Sequence, residues 1–313
     1  MVTLPGKATE PTMYFVGVTT AKSSIMKVFP HWAKAMGIDA VLKGIDAEIH
    51  ADPDDYRQIV DFIKGDPLSQ GALVTTHKID LLTAARDRFE QLDEYAEILG
   101  EVSSISKQGD ELCGHAKDPI SSGLALEAFV PDNWWKDTGA EALIFGAGGS
   151  ALAISMYMMH PRHGDNRPSK IVVTNRSKPR LEEMQRIHAQ LDYGVPYEYH
   201  FCPTFEDNDR VLAAMPPCSV VMNSTGLGKD RPGSPITNAG VFPEKALAWD
   251  FNYRGDLQFL VQARSQEKER SLTVEDGWIY FVHGWTQVIA EVFHIEIGPE
   301  KIAELSRIAA EVR

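Results

Sequence analysis

The feature that most constrains this chain is a run of glycines between two apolar segments, residues 142–145 and residues 152–159. This order is typical of a strand, a phosphate-binding loop and the start of a helix. In dinucleotide-binding folds the first glycine makes the tight turn, the second lets the backbone approach a pyrophosphate, and a small third residue packs the helix on the strand. Gly146, Gly148 and Ala151 occupy those three positions. The loop therefore predicts a nucleotide site, and an ordinary tight βα turn is the alternative.

The start of the helix after this loop offers unpaired N–H groups and a partial positive charge to an anion. A pyrophosphate would therefore lie against the backbone of the whole loop. The predicted cofactor-binding residues here are Gly146, Ala147, Gly148, Gly149, Ser150 and Ala151.

The composition is that of an ordinary water-soluble protein of about two domains, with 313 residues, 43% of them hydrophobic and 24% charged. The net charge of −13 argues against nucleic acid or an anionic membrane as a partner, because both require clustered lysine and arginine. The three cysteines are widely spaced and lack metal-ligand spacing, so we expect reduced thiols and no metal. No signal-like or membrane-length apolar segment is present, so we expect a cytoplasmic protein, either a monomer or a homodimer.

Predicted strands alternate with predicted helices along the chain, which indicates an α/β fold with mostly parallel sheets. Apolar β-rich runs predict strands at residues 13–18, 40–45, 71–75, 142–145, 170–174, 220–223 and 246–250. Helical patterns occupy residues 25–37, 53–64, 89–99, 277–293 and 299–312, with another helix starting at 119. Residues 102–115 read as a hairpin, and residues 160–169 as a polar surface insert.

The turn after the strand at 170–174 decides which dinucleotide is preferred, because an acidic residue there binds the ribose hydroxyls of NAD whereas arginine accommodates a 2′-phosphate. Arg176, Lys178 and Arg180 place three cations at this turn and no carboxylate. NADP is the predicted cofactor, with Asn175, Arg176, Ser177 and Arg180 as its binding residues. NAD, or a solvated basic turn without a ligand, is the alternative.

Three further motifs, residues 71–78, 114–118 and 250–253, combine with the glycine loop and the basic turn in one order along the chain. This order resembles the shikimate/quinate dehydrogenase family over nearly the whole chain. The resemblance implies a substrate-binding domain at 1–122, a Rossmann domain for NADP at 123–275, a doubly wound parallel sheet, and C-terminal helices at 276–313 that return to the first domain. It also implies a substrate cleft between the two domains.

By this resemblance Lys78 matches the family's catalytic lysine and Asp118 its partner aspartate. Oxidising a secondary alcohol by hydride transfer requires the hydroxyl proton to leave, and the reverse reaction requires a proton donor. A lysine can do both if partial burial lowers its pKa, while a nearby carboxylate orients it. Taken alone, Lys78 would be a surface charge and Asp118, just before Pro119, a helix N-cap.

Other family positions match less closely. Ser23 matches the first of two serines that bind the substrate carboxylate, while the second falls on Ile25 unless Ser24 replaces it. Thr75 matches a hydroxyl near the substrate and Tyr253 a tyrosine that reaches the carboxylate. The loop along the nicotinamide is predicted to be Asn223, Ser224, Thr225 and Gly226.

Three long amides of the family are missing, since their positions hold Ser103, Ala116 and Gly284. We expect Ser103 and Gly284 to contact the substrate still. A site built to hydrogen-bond a hydroxyl discriminates by about 10⁴-fold, so these losses predict a different or bulkier hydroxylated substrate and weak activity on shikimate. His77 and His283 lie beside the predicted site, and an ordinary hydrogen-bonded role is favoured over catalysis for both.

The predicted function is an NADP-dependent oxidoreductase that transfers a hydride between the nicotinamide and a secondary alcohol or ketone of a shikimate- or quinate-like small molecule. The alternative is a non-catalytic NADP sensor with the same fold. The missing amides favour the sensor, while the retained Lys78, Asp118 and Tyr253 favour the enzyme.

Overall fold

A computed structural model describes residues 2–229 and 231–312. The chain forms two compact units. The first contains residues up to Lys117 and from Val282 onward, and the second spans Asp118–Phe281. No helix within the described residues is both long and apolar enough to span a bilayer.

The first unit consists of a six-stranded mixed sheet with helices around it. Its elements up to Lys117 are β1 (Thr12–Gly17), α1 (Ile25–Met36), β2 (Val41–Asp46), α2 (Pro53–Gly65), β3 (Ser69–Val74), α3 (Lys78–Ala85), β4 (Gln91–Leu92), α4 (Glu94–Leu99), β5 (Ser104–Gln108) and β6 (Glu111–His115). The strand order is β2-β1-β3-β5-β6-β4. β5 is antiparallel to both of its neighbours, while β1, β2 and β3 are parallel. Every residue of β1 is buried, as expected of a central parallel strand.

The close approach of β3 and β5 requires a glycine. Gly71 has φ +130°, and a Cβ at this position would lie 2.2 Å from the carbonyl oxygen of Ile105. Only glycine adopts this backbone conformation without strain, so Gly71 permits the β3–β5 pairing.

The second unit is an all-parallel doubly wound sheet. Its elements are α5 (Asp118–Glu127), α6 (Trp134–Thr138), β7 (Ala142–Phe145), α7 (Gly149–Met159), β8 (Ile171–Asn175), α8 (Lys178–Leu191), β9 (Tyr197–Phe201), α9 (Phe205–Ala213), β10 (Val220–Asn223), β11 (Leu247–Asp250), α10 (Gln258–Arg264), α11 (Glu267–Arg270) and β12 (Thr273–Glu275). The strand order β12-β11-β10-β7-β8-β9 is that of a Rossmann fold, with the switch point between β7 and β10. This confirms the predicted fold class.

Both faces of this sheet are buried, because successive side chains of each strand face opposite cores. Ala142 and Ile144 of β7 belong to one hydrophobic cluster, while Leu143 and Phe145 belong to the other. The near-continuous apolar runs in the sequence follow from this double coverage.

Two helices complete the chain, α12 (Trp278–Phe293) and α13 (Pro299–Val312). α13 packs against α1, where Trp32 Nε1 donates a hydrogen bond of 2.7 Å to the carbonyl of Leu305. The terminal helix thus returns to the first unit, as predicted.

One predicted helix is wrong in its first part. Residues 89–99 were expected to form a single helix, but only Glu94–Leu99 is helical, while Gln91–Leu92 pairs with β6 as β4. The helix starts late because the side chain of Asp93 accepts the N–H of Ala96 and caps it there. The edge strand β9 was not predicted.

Candidate active site

A cleft of about 750 Å³ opens in the second unit at the carboxyl ends of its central strands. This is the switch point at which doubly wound sheets bind ligands. Its lining includes ten of the predicted cofactor residues, namely Gly146, Ala147, Gly148, Gly149, Asn175, Arg176, Ser177, Arg180, Ser224 and Thr225. The remaining four are Ser150, Ala151, Asn223 and Gly226, which are not among the lining residues.

The glycine loop lines the floor of this cleft with backbone. Gly146 has φ +107°, and a Cβ there would lie 2.9 Å from Ser224 Oγ. Gly148 is the N-cap of α7, which has no side-chain cap, and a Cβ at Gly148 would meet no atom within 4 Å. A helix start without a side-chain cap leaves N–H groups for an anionic ligand. Ala151 is fully buried, as the packing role of the third position requires.

The cleft is electropositive although the chain as a whole is acidic. Three arginines line it, Arg176, Arg180 and Arg231, and Glu206 is the one carboxylate among its described lining residues. Guanidinium groups match the geometry of phosphate oxygens. The residues present therefore fit a phosphorylated dinucleotide.

The predicted nicotinamide loop is held by a buried polar network. Asn223 Nδ2 donates to Asp250 Oδ2 at 3.1 Å, and Thr225 Oγ1 donates to Asn223 Oδ1 at 2.7 Å. Asp250 also accepts the backbone and side-chain N–H groups of Asn252 at 2.9 and 2.8 Å. Burial raises the pKa of Asp250 to about 6, although these hydrogen bonds oppose the shift. Asn223 thus holds the loop in place through its hydrogen bonds with Asp250 and Thr225.

Several lining residues had no recognisable signal in the sequence. They come from the loop after β9, the start of α9 and the loop after β10, and include Thr204, Phe205, Asn208, Leu227, Arg231 and Pro235. Thr204 forms a capping box with Asp207 at the start of α9. That Thr-x-x-Asp pattern marks a helix start, but nothing local connects it with the glycine loop.

Three predicted site residues of the first unit lie together at one edge of its sheet, which we call the substrate edge. Thr75 follows β3, Lys78 is the first residue of α3, and Ser103 precedes β5. Backbone hydrogen bonds connect the segments of this edge. The N–H of Val74 donates to the carbonyl of Ser103 at 2.9 Å, and the N–H of Val102 donates to the carbonyl of Lys78 at 3.2 Å. Lys78 is half-buried.

Two hydroxyls of this edge are used within the protein. Thr75 Oγ1 lies 3.3 Å from the carbonyl of Val16, to which it donates. Ser103 is buried, and its Oγ accepts the backbone N–H of Lys117 at 2.7 Å. That Ser103 contacts the substrate stays a prediction, and its hydroxyl has a structural partner here.

The remaining substrate positions of this unit differ in exposure. Ile25 is fully buried in α1, whereas Ser23 and Ser24 are half-buried, so only the serines are available to a ligand. Gly284 on α12 is half-buried, and a Cβ there would meet no atom within 4 Å. Its neighbour Trp285 packs edge-on against Phe15 at 5.0 Å between ring centroids.

Asp118 and Tyr253 belong to the second unit. Asp118 is the half-buried first residue of α5, and its carbonyl accepts the hydroxyl of Ser122 at 2.7 Å. The ring of Tyr253 packs against Phe281 at 4.8 Å and Trp278 at 5.7 Å between centroids.

The two histidines considered beside the site are both buried. His77 is the N-cap of α3, and its Nδ1 lies 3.0 Å from the hydroxyl of Tyr56. Burial lowers the pKa of His77, so the ring is neutral near pH 7. No group of three or more metal-ligating side chains comes together in the part of the chain that the structure describes.

Comparison with known proteins gives one consistent group. No family model matches the chain. The shikimate dehydrogenase (NADP(+)) of Bartonella henselae is 26% identical over 218 residues, which cover 70% of this chain and 65% of that enzyme, slightly less than two thirds of its length. The enzyme of the same name from Brucella ovis is 24% identical over 244 residues, covering 77% of this chain and 75% of the relative.

Solved structures share the fold over almost the whole chain. Shikimate 5-dehydrogenase of Thermus thermophilus, in complex with NADP(H) and shikimate, superposes with a TM-score of 0.69 at 19% identity, covering 95% of this chain and 99% of that one. Quinate dehydrogenase of Corynebacterium glutamicum, in complex with NAD, gives a TM-score of 0.73 at 17% identity, covering 96% and 99%. Motifs, sequence relatives and fold agree: the chain is similar in sequence to shikimate dehydrogenases and shares the fold of shikimate and quinate dehydrogenases.

Proposed function

We propose that this protein is an NADP-dependent dehydrogenase of the shikimate dehydrogenase type, acting on a secondary alcohol or ketone of a small hydroxylated acid. The observation that carries the proposal is the cleft of the second unit. In this cleft a helix without a side-chain cap starts directly after the glycine loop. Three arginines and a single carboxylate are found among the described lining residues, although the chain as a whole has a net charge of −13. This environment favours a dinucleotide with an additional phosphate.

When bound, NADP supplies the hydride acceptor through its nicotinamide ring. Lys78 accepts the hydroxyl proton as the alcohol is oxidised and returns it in the reverse direction. Lys78 is the half-buried first residue of α3 and its carbonyl accepts the N–H of Val102, beside Ser103, which supports this role. Asp118 orients Lys78 and shares the proton.

The proposed substrate differs from shikimate in its ring substituents. Ser103 in place of a long amide uses its hydroxyl on the backbone of Lys117, and Gly284 presents open space. Both features remove partners for ring hydroxyls and leave room for a bulkier group. The substrate carboxylate would be bound by Ser23 with Ser24 and by Tyr253.

A non-catalytic NADP sensor is the second candidate, and the internal use of the Ser103 hydroxyl favours it. The test is NADPH formation by the purified protein with a panel of cyclic hydroxy-acids that includes shikimate and quinate, beside a direct titration of NADP binding. The enzyme predicts NADP binding and reduction with at least one panel member. Binding of NADP without its reduction by any panel member would favour the sensor. Absence of NADP binding would contradict both candidates.

A further inference from the structure

The three residues before Asp118 are held by side chains from three other parts of the first unit. The backbone N–H of Ala116 donates to Asp93 Oδ1 at 3.1 Å, and the backbone N–H of Lys117 donates to Ser103 Oγ at 2.7 Å. The ammonium of Lys117 donates to Glu291 Oε2 on α12 at 2.5 Å. Residues 115–117, the lead-in segment, are therefore anchored by both backbone and side chain.

The charges around this segment form a chain of contacts. The other oxygen of Glu291, Oε1, lies 3.3 Å from His115 Nε2, and His115 Nδ1 lies 3.7 Å from Asp93 Oδ2. Ser106 Oγ is 3.0 Å from His115 Nε2. The four charged or titratable side chains are only 12–25% exposed. At this depth an ion pair is screened less than at the surface, and removing one partner leaves the other uncompensated.

The protonation states support a fixed arrangement near neutral pH. Burial alone would raise the pKa of Glu291, but its contacts with Lys117 and His115 outweigh burial and hold the pKa below its usual range. Burial lowers the pKa of His115, with Lys117 and His294 acting in the same direction and Glu291 and Asp93 opposing them. Glu291 is thus ionised and His115 neutral, so the Glu291 carboxylate forms its ion pair with the Lys117 ammonium.

We propose that Glu291, acting through Lys117, is a positioning residue that fixes the lead-in segment and hence the backbone position of Asp118 at the start of α5. The inference rests on the proposed function, because it concerns the partner carboxylate of Lys78. Displacing a catalytic group by about 1 Å can lower the rate by up to about 10²-fold. Even a small displacement of the lead-in segment should therefore cause a measurable fall in kcat. Ser103 becomes a second anchor of the same segment, which explains why its hydroxyl points to the backbone of Lys117.

The experiment compares Glu291→Gln with the wild-type protein on the best substrate of the panel. Glutamine keeps the shape and removes the charge, so the Lys117 ammonium loses its ionic partner. We expect kcat to fall about 10-fold while KM changes less than about 3-fold, because Asp118 shares a proton rather than binds substrate. Amide hydrogen exchange of the peptide covering residues 115–120 should become faster, since the segment opens locally.

Four further variants separate positioning from general destabilisation. Lys117→Met should match Glu291→Gln, and the double variant should be no worse than either single one, because both remove the same interaction. Lys117→Arg keeps the charge and should recover most of kcat. Glu304→Gln is the matched control, because it breaks the more exposed Lys301–Glu304 pair of α13 and should change neither kcat nor the exchange of residues 115–120.

An unchanged kcat and unchanged exchange of residues 115–120 in Glu291→Gln, with an active wild-type protein, would overturn the inference. So would a fall in melting temperature without either effect. Absence of turnover by the wild-type protein would instead overturn the proposed function, and faster exchange at 115–120 in Glu291→Gln would then still support the anchoring.

Discussion

The cofactor cleft of the second unit and the substrate edge of the first are built by different means. The cleft is shaped by backbone, through Gly146, Gly148 and the start of α7, and arginines supply its charge. The substrate edge depends on side chains, and two of its hydroxyls, Thr75 and Ser103, are already bonded within the protein. Backbone geometry is retained when sequences diverge, whereas side-chain recognition can be reassigned by a few substitutions.

The contrast explains how the two regions relate to the family. The loop that would hold a pyrophosphate keeps its glycines, since any other residue at Gly146 would strain the chain. In the first unit, Ser103, Ala116 and Gly284 stand where the resemblance implies long amides, and Lys117 pairs with Glu291. We therefore expect cofactor use to resemble that of the relatives and substrate preference to differ.

The first way to break this comparison is to remove Lys78, the residue at the substrate edge that carries the proposed chemistry. Lys78→Ala should lower kcat by about 10²–10⁴-fold, the usual range for losing a general acid–base group. The affinity for NADP should not change, because the cleft residues lie in the other unit. Initial rates and a cofactor titration measure both. A variant with full activity would show that Lys78 is not the proton-transfer group.

The second prediction concerns the charge of the cleft. Arg176→Ala should weaken NADP binding by about 10–100-fold and NAD binding much less, because a hydrogen bond to a charged group contributes about 1.5–3 kcal/mol. Calorimetric titration with both cofactors measures the ratio. Arg186→Ala is the control, since Arg186 lies on α8, pairs with Glu183 and does not line the cleft. Equal losses for the two cofactors would argue against 2′-phosphate recognition by Arg176.

The third prediction separates two glycines of one loop. Gly146→Ala should lower the free energy of unfolding by about 1–3 kcal/mol, because φ +107° is strained for alanine and its Cβ would crowd Ser224. Gly148→Ala, at φ −97°, should leave stability nearly unchanged but weaken NADP binding, since its Cβ would enter the cleft. Denaturant titrations and cofactor titrations test the pair. Equal effects of the two substitutions on both measurements would contradict the backbone account.

The smallest effect concerns the interior of the cofactor unit. His188 is buried between Ser155 and Tyr199, at 2.8 and 2.7 Å from their hydroxyls, and burial lowers its pKa to about 3. A lowered histidine pKa contributes stability that is fully present above the unfolded value of about 6.5 and is lost as pH falls toward the folded value. Lowering the pH from about 7.5 to about 5.5 should therefore cost about 1.4 kcal/mol at this residue.

His188→Gln should flatten that part of the pH dependence in chemical unfolding of the second unit. His31→Gln, at an exposed position of α1, is the matched control and should leave the slope as it is. If the free energy of unfolding depends on pH equally in His188→Gln and in the wild-type protein, His188 is not the group that couples folding to pH in this range.

Much of the fold could be predicted because local patterns and packing agree. The central strands are continuous apolar runs, and the doubly wound sheet buries both of their faces. The short elements α3, α6 and β12 were not predicted. Two further strands were missed because one is short and the other lies at an edge. β4 is only two residues long, and β9 is a half-exposed edge strand whose tyrosines alternate with polar residues.

The candidate site was predictable only where a single segment of sequence builds it. The glycine loop and the basic turn are each contiguous, and β7 and β8 are adjacent, so both reach the same cleft. Arg231 and Phe205 also line the cleft but come from distant loops without a local pattern. At the substrate edge, the partner of Ser103 is Lys117, 14 residues away, and the partner of Lys117 is Glu291, 174 residues away. Such pairings appear only in three dimensions.

The most direct test of the contrast between the two regions is the ratio of kcat/KM for shikimate to that for the best panel substrate, measured with saturating NADP. The account predicts NADPH formation from another hydroxylated acid with a kcat/KM at least about 10-fold above that for shikimate, because lost hydrogen-bond partners redirect specificity. Shikimate as the best substrate, with NAD serving as well as NADP, would contradict it.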